Sequence, residues 1–119
     1  VISATGLSNP EPWGRWTDGE KVVLTFNSQL PQNFSFELTV SAAFGPNSNT
    51  PTKLKIGEFN HTFSVSKPGE IFVVPVTHSG VTKTLEITPP KPTSPKSLGI
   101  SNDSRQLGLG LVKLRIVQQ

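Results

Sequence analysis

The chain contains no cysteine, no methionine and no tyrosine. Without cysteine it has no disulfide, no thiol nucleophile and no thiolate zinc site. Cysteine absence fits any compartment and leans only slightly toward an oxidising one. Without methionine the chain opens on Val1 and lacks an initiator, so a segment cut from a longer protein is expected, with any targeting signal lying outside it. No apolar run approaches the ~18 residues of a membrane helix, and no signal peptide is present. Membrane insertion by this fragment is therefore not expected. Basic runs are also lacking. A net charge of +3 comes from eleven scattered cations against eight acids, which argues against nucleic acid as a partner. No stretch combines helical periodicity with a cap.

What is present is alternation. Phe34, Phe36, Leu38, Val40, Ala42 and Phe44 share one phase, separated by Ser35, Glu37, Thr39, Ser41 and Ala43. That period of two predicts a long strand with one buried face. Val22, Leu24 and Phe26 repeat the pattern. Leu54 and Ile56, a turn at Gly57-Glu58-Phe59-Asn60, and the returning Phe63 and Val65 predict a hairpin. Ile71–Val76 is apolar on both faces and reads as a central, covered strand, with Pro75 marking a strand end or bulge. Leu85 and Ile87 point inward from a short strand over 84–88. Four prolines within Pro89–Pro95 predict an extended surface crossing rather than a ladder strand. In the last segment Leu107, Leu109 and Leu111 share one phase, while Val112, Leu114 and Ile116 share the other. A glycine bulge beside Gly108 and Gly110 is expected to turn the strand over. The expected fold is all-β: a two-sheet β-sandwich, jelly-roll-like or immunoglobulin-like, with about seven or eight strands in one domain over 1–119.

Catalytic and metal chemistry find little footing. His61 and His78 are the only candidate bases, His61 partly buried with Phe63 and Val65 and His78 beside a turn at Ser79-Gly80. The expected reading of both is structural or surface histidine. No metalloprotease, EF-hand or phosphate-loop motif occurs. Asn102-Asp103-Ser104 offers oxygens to calcium, but an Asx-type turn opening the last strand is the favoured reading, and no cofactor is expected. Three Asn-x-Ser/Thr matches arise too easily in a Ser/Thr-rich chain to carry weight.

Two motifs stand out: Glu11-Pro12-Trp13-Gly14-Arg15-Trp16, which holds both tryptophans, and Ser101-Asn102-Asp103-Ser104-Arg105-Gln106-Leu107-Gly108. If the first is extended, Trp13 and Arg15 project to one face and Trp16 to the other, so that one ring enters the core while the other stays available. A surface Trp beside an Arg offers a flat apolar platform and a hydrogen-bonding fork, suited to the C–H face and hydroxyls of a sugar. Glu11, Trp13, Arg15, Trp16, Asp103 and Arg105 are the candidate ligand-binding residues. The same groups suit a structural clasp, in which Arg15 or Arg105 pairs with Glu11 or Asp103 across the two chain ends. The two readings are compatible.

These motifs, extended to Thr17-Asp18 and joined by Ser94-Pro95, Leu98-Gly99 and the stretch from Ser101 to Leu111, resemble the small C-terminal β-domain of the phosphoglycerol transferase I family. Those are bacterial inner-membrane enzymes that decorate periplasmic glucans, and similar domains are appended to some multi-spanning bacterial glycosyltransferases. The resemblance covers nearly the whole chain. It implies a non-catalytic accessory module on the periplasmic face of the inner membrane, as part of a membrane-anchored transferase whose metal-binding centre lies in another domain. The expected role is glycan binding or positioning, with a bacterial glycan as partner; the alternative is a structural module docked on the catalytic domain or another partner. A monomer is expected.

Overall fold

The computed structural model describes residues 3–118; Val1, Ile2 and Gln119, which fall within the expected 1–119 domain, lie outside the described residues. Nine strands follow one another: β1 (Ser3–Thr5), β2 (Arg15–Asp18), β3 (Val22–Thr25), β4 (Asn33–Ala43), β5 (Pro51–Ile56), β6 (Phe59–Ser64), β7 (Glu70–Thr77), β8 (Thr84–Thr88) and β9 (Leu107–Gln118). A 3-10 turn, Gly45–Asn47, interrupts them once. The strands form two antiparallel sheets, ordered β1-β3-β8-β5-β6 and β2-β9-β4-β7. Only the expected hairpin, β5–β6, joins neighbours within a sheet; every other connection crosses between sheets. The strands beyond the expected number are β1 and β2, too short to show a period.

The core fills the space between the sheets. Phe34, Phe36, Leu38 and Val40 of β4 face Val22, Leu54, Ile56, Leu85 and Ile87 of the other sheet, and all are buried. Each such side chain contributes about 1.5–3 kcal/mol of transfer free energy. The alternation of β4 holds only as far as Val40. Register shifts on either side of Val40 turn the strand, so that Ala43, not Ala42, packs on the core and Phe44 leaves by the outer face.

β9 turns over as well, but not at its glycines. Thr39 pairs with Lys113 and Val40 with Leu111, so the extra residue is Val112. The glycines answer to contact instead. A Cβ on Gly108 would stand 2.5 Å from Pro89 and 2.7 Å from Thr17 Oγ1; on Gly110 it would stand 2.3 Å from Ser41 Oγ and 3.0 Å from the Trp13 ring.

β7 is an edge strand, not the central one expected. Among the described residues only β4 pairs with it, and Ile71 and Val73 are 62% and 59% exposed on its outer face. Pro75 sits inside the strand opposite Ser35, a position that an edge tolerates because one side of the strand needs no donor.

The segment that carries β1 touches both sheets. Ser3–Thr5 pairs with β3, and then Leu7 bridges to Thr17 while Ser8 N–H donates to Trp16 O at 2.9 Å. The switch occurs at Gly6, with φ +81° and a Cβ position 2.1 Å from Lys21 O that no side chain can occupy.

The proline crossing is less superficial than expected. Pro89, Ser94 and Pro95 are buried, and Thr93 exchanges two backbone bonds with Leu107. Asn47, fully buried, ties the crossing down. Its Nδ2 donates to Phe44 O (2.7 Å) and Lys91 O (2.8 Å) and, at 3.3 Å, to Leu107 O, and its Oδ1 accepts from Lys91 N–H (2.9 Å).

Candidate functional site

Pro12 and Trp13 form a two-residue turn. Glu11 N–H donates to Gly14 O (2.8 Å) and Gly14 N–H to Glu11 O (3.1 Å), with Gly14 at φ +151° lying on the Leu111–Val112 backbone. The turn breaks the alternation that would have put the two tryptophans on opposite faces. Trp16 pairs with Gly110 on the outer face of the β2-β9-β4-β7 sheet, and the Trp13 ring folds back over that same glycine. The two indoles meet edge to face, centroids 5.5 Å apart, and Phe44 extends the row at 6.1 Å from Trp16. Such edge-to-face pairs contribute about 0.5–1.5 kcal/mol each beyond burial. Neither indole enters the core, as one was expected to; both are half-buried.

Asp103 and Arg105 form the second half. Asp103 Oδ1 accepts the backbone N–H of Arg105 at 3.0 Å, the expected Asx turn leading toward β9. The guanidinium adds bonds from Nε and Nη2 to both carboxylate oxygens, at 2.8–3.1 Å. These side-chain bonds, with the backbone bond next, hold the Asp103 carboxyl below the usual carboxylate range. The same side-chain bonds raise the Arg105 pKa, and Glu11 and Asp18 add to it through space. Glu11 reaches Arg105 only at 4.0 Å, with both side chains 39% exposed, so that ion pair adds little stability.

The structure thus brings Trp13 and Trp16 together and gathers Glu11, Asp103 and Arg105. It separates Arg15 from them. Arg15 pairs with the inward-facing Leu111 on the opposite side of β2 and donates from Nε to Ser8 O at 2.8 Å, not to a carboxylate. It lines a groove of about 410 Å³ along the open edge of the sandwich, together with Leu7, Leu24, Leu38, Leu111 and Leu114.

Catalysis gains no support from the histidines. His61 shares a face with Phe63 as expected, yet it is exposed on edge strand β6 and stacks on Phe59. His78 is buried, its Nε2–H donating to Pro31 O at 2.7 Å, near the start of β4 and roughly 30 Å along that strand from the aromatic row. Among the described residues no group of three or more His, Asp or Glu side chains could hold a metal ion. The Asp103 carboxylate that calcium would need is occupied by Arg105. No helix of the described residues is long and apolar enough to cross a membrane.

Sequence reasoning missed Phe44, Asn47 and Thr17. Phe44 looked like a core residue in phase with β4. Asn47 stood in a polar loop. Thr17 is fully buried, and its Oγ1 accepts Leu109 N–H at 2.9 Å, a bond that no pattern announces.

A family profile described as a domain of unknown function, DUF7024, matches residues 1–118. Among curated proteins, phosphoglycerol transferase I of Citrobacter koseri is 32% identical over 98% of this chain, and the proteins of that name from Salmonella paratyphi B and Salmonella typhi are also 32% identical over 98%. The chain spans only 16% of the length of each of these relatives. No solved structure matches.

Proposed function

The chain belongs to the DUF7024 family, and from that footing we propose that it is a glycan-positioning accessory module of a membrane-anchored transferase, acting on the periplasmic side of the bacterial inner membrane. The catalytic step belongs elsewhere in such a protein. The observation that carries the reading is the row Trp13–Trp16–Phe44 on the outer face of the sheet. Its three rings are half-buried, and the turn that carries Trp13 also carries Glu11, which reaches the part-exposed Arg105 at 4.0 Å. An indole face suits a pyranose C–H surface, and Arg105 and Glu11 supply donor and acceptor at its rim. A shallow, pre-formed platform of this kind binds weakly, in the millimolar range of about −4 kcal/mol. The test is an amide NMR titration with bacterial glucan and O-antigen fragments, alongside a Trp13→Ala variant. Shifts centred on Trp13, Trp16 and Arg105 that vanish in the variant support the proposal. Silence at those amides at millimolar glycan sinks it.

The docking alternative draws on a different observation, the apolar groove beside Arg15.

A further inference from the structure

β9 is twelve residues long, yet β2 covers only its first part. The pairing of β2 ends at Arg15–Leu111, Gly14 rests on Val112, and the chain then turns away at Trp13. On the other side β4 accompanies β9 as far as Gln118. Among the described residues no strand pairs with Lys113–Gln118 on the side that β2 occupies. The four-stranded sheet therefore has a step in its edge, where a strand position is vacant for about six residues.

Three further facts bear on what fits the step. First, the groove of about 410 Å³ runs beside it, floored by Leu24, Leu38, Leu111 and Leu114, within the ~300–1,000 Å³ common for ligand sites. Second, the bulge at Val112 turns Leu114 and Ile116 inward and Lys113 and Arg115 outward, so the step has one apolar and one cationic side. Third, the charges are one-sided. Among the described residues the Lys113 side chain makes no hydrogen bond or ion pair, and the Arg15 side chain donates through Nε to Ser8 O. Arg115 reaches Glu37 at 3.5 Å with its side chain 57% exposed, and the rim acid Glu11 is drawn to Arg105.

We propose that the Lys113–Gln118 edge of β9 is a strand-addition site for an extended peptide whose inward side chains are aliphatic and whose outward side chains are acidic. The backbone of such a segment hydrogen-bonds the open edge, its aliphatic residues fill the groove, and its carboxylates meet Lys113 and Arg115 on the outward face. The open backbone edge favours a peptide over an anionic amphiphile, which could use the groove and the cations but not the row of amides and carbonyls. This site is separate from the aromatic row and does not depend on glycan binding.

The probe is the acetylated, amidated heptapeptide Glu-Val-Thr-Val-Glu-Val-Thr, compared with the version carrying Lys in place of Glu. Both are titrated into the chain by amide NMR, with hydrogen exchange read at the same amides. The acidic peptide should shift the Lys113–Gln118 amides and slow their exchange about tenfold, and bind at least about fivefold more tightly than the basic one. Lys113→Glu should reverse that preference while leaving the Trp13 and Trp16 signals in place. Four outcomes overturn the proposal: no change at these amides at about 5 mM peptide; equal binding of the two peptides; groove shifts with dodecyl phosphate but not with peptide; or a dimer by ultracentrifugation that shows the same edge protection without peptide.

Discussion

Replacing Asn47 by leucine tests how the proline crossing is held. The exchange keeps size and removes every polar atom of a fully buried side chain. The carbonyls that Asn47 serves keep other partners. Phe44 O also accepts Asn47 N–H, Leu107 O accepts Thr93 N–H, and Lys91 O accepts Thr93 Oγ1. The Lys91 N–H has only Asn47 Oδ1, at 2.9 Å. The loss is therefore one orphaned donor, about 1–3 kcal/mol, plus the two short bonds from Nδ2, about 0.5–1.5 kcal/mol each, less the gain of burying apolar leucine. A net destabilisation of about 2–4 kcal/mol follows, a large share of the stability of a small β protein. With an unfolding entropy near 2.1 cal/mol/K per residue, this chain should lose about 8–16 °C in Tm. Thermal unfolding measures the Tm loss, and urea unfolding followed in parallel by tryptophan fluorescence and circular dichroism measures the free energy. Asn47→Asp should cost more, because a carboxylate would face three carbonyl oxygens. A loss below about 0.5 kcal/mol for the leucine variant, or an aspartate variant more stable than it, would refute the reasoning.

Other outcomes are equally specific. Gly6→Ala should destabilise by more than about 2 kcal/mol in denaturant titrations, since its Cβ would meet Lys21 O at 2.1 Å in a left-handed backbone. Gly110→Ala should move Trp13, whose ring lies 3.0 Å from the new Cβ, and change the near-ultraviolet circular dichroism of the indole pair with at most about 1–3 kcal/mol of stability lost. Asp103, Glu58 and Glu70 all have carboxyl pKa values lowered by hydrogen bonds, foremost from the Arg105 side chain and from the Ser79 and Ser66 backbone N–H groups respectively. A lowered native value binds protons less readily than the unfolded chain. Their contribution is thus complete above the unfolded range, about pH 4–5, and fades as pH falls through the native values. Acid titration of stability should show that fall, and Asp103→Asn should flatten part of it.

How much of this was legible depends on what each pattern encodes. The alternation of Phe34–Val40, the Leu54–Ile56 hairpin and the inward Leu85 and Ile87 were readable because a strand with one buried face repeats every two residues. The same pattern does not say which strand lies alongside. Ile71–Val76 looked central because it is apolar on both faces, yet β7 is an edge. The reversal of β9 showed in its phase, but was laid at its glycines; those are dictated by Pro89, Ser41 and Trp13, which are distant in sequence. Arg105 and Asp103 were found together because an Asx turn is local. The parting of Arg15 from Trp13 was not foreseen, because a two-residue turn at Pro12-Trp13 rotates everything before it. The vacant step beside β9 is a property of pairing alone, and no residue type marks it.

The switch at Gly6 has a mechanical consequence. One short segment closes the β3 edge of one sheet and the β2 edge of the other, with a single glycine between the two seams. Tension arriving along that segment would load the hydrogen bonds of both seams together, in shear, because they stand perpendicular to the strand. Both seams would part together along one flank, exposing Leu24 and Leu111 to solvent while the β4–β9 pairing still stood. On that flank one continuous segment fastens both sheets, so neither seam can be released without the other.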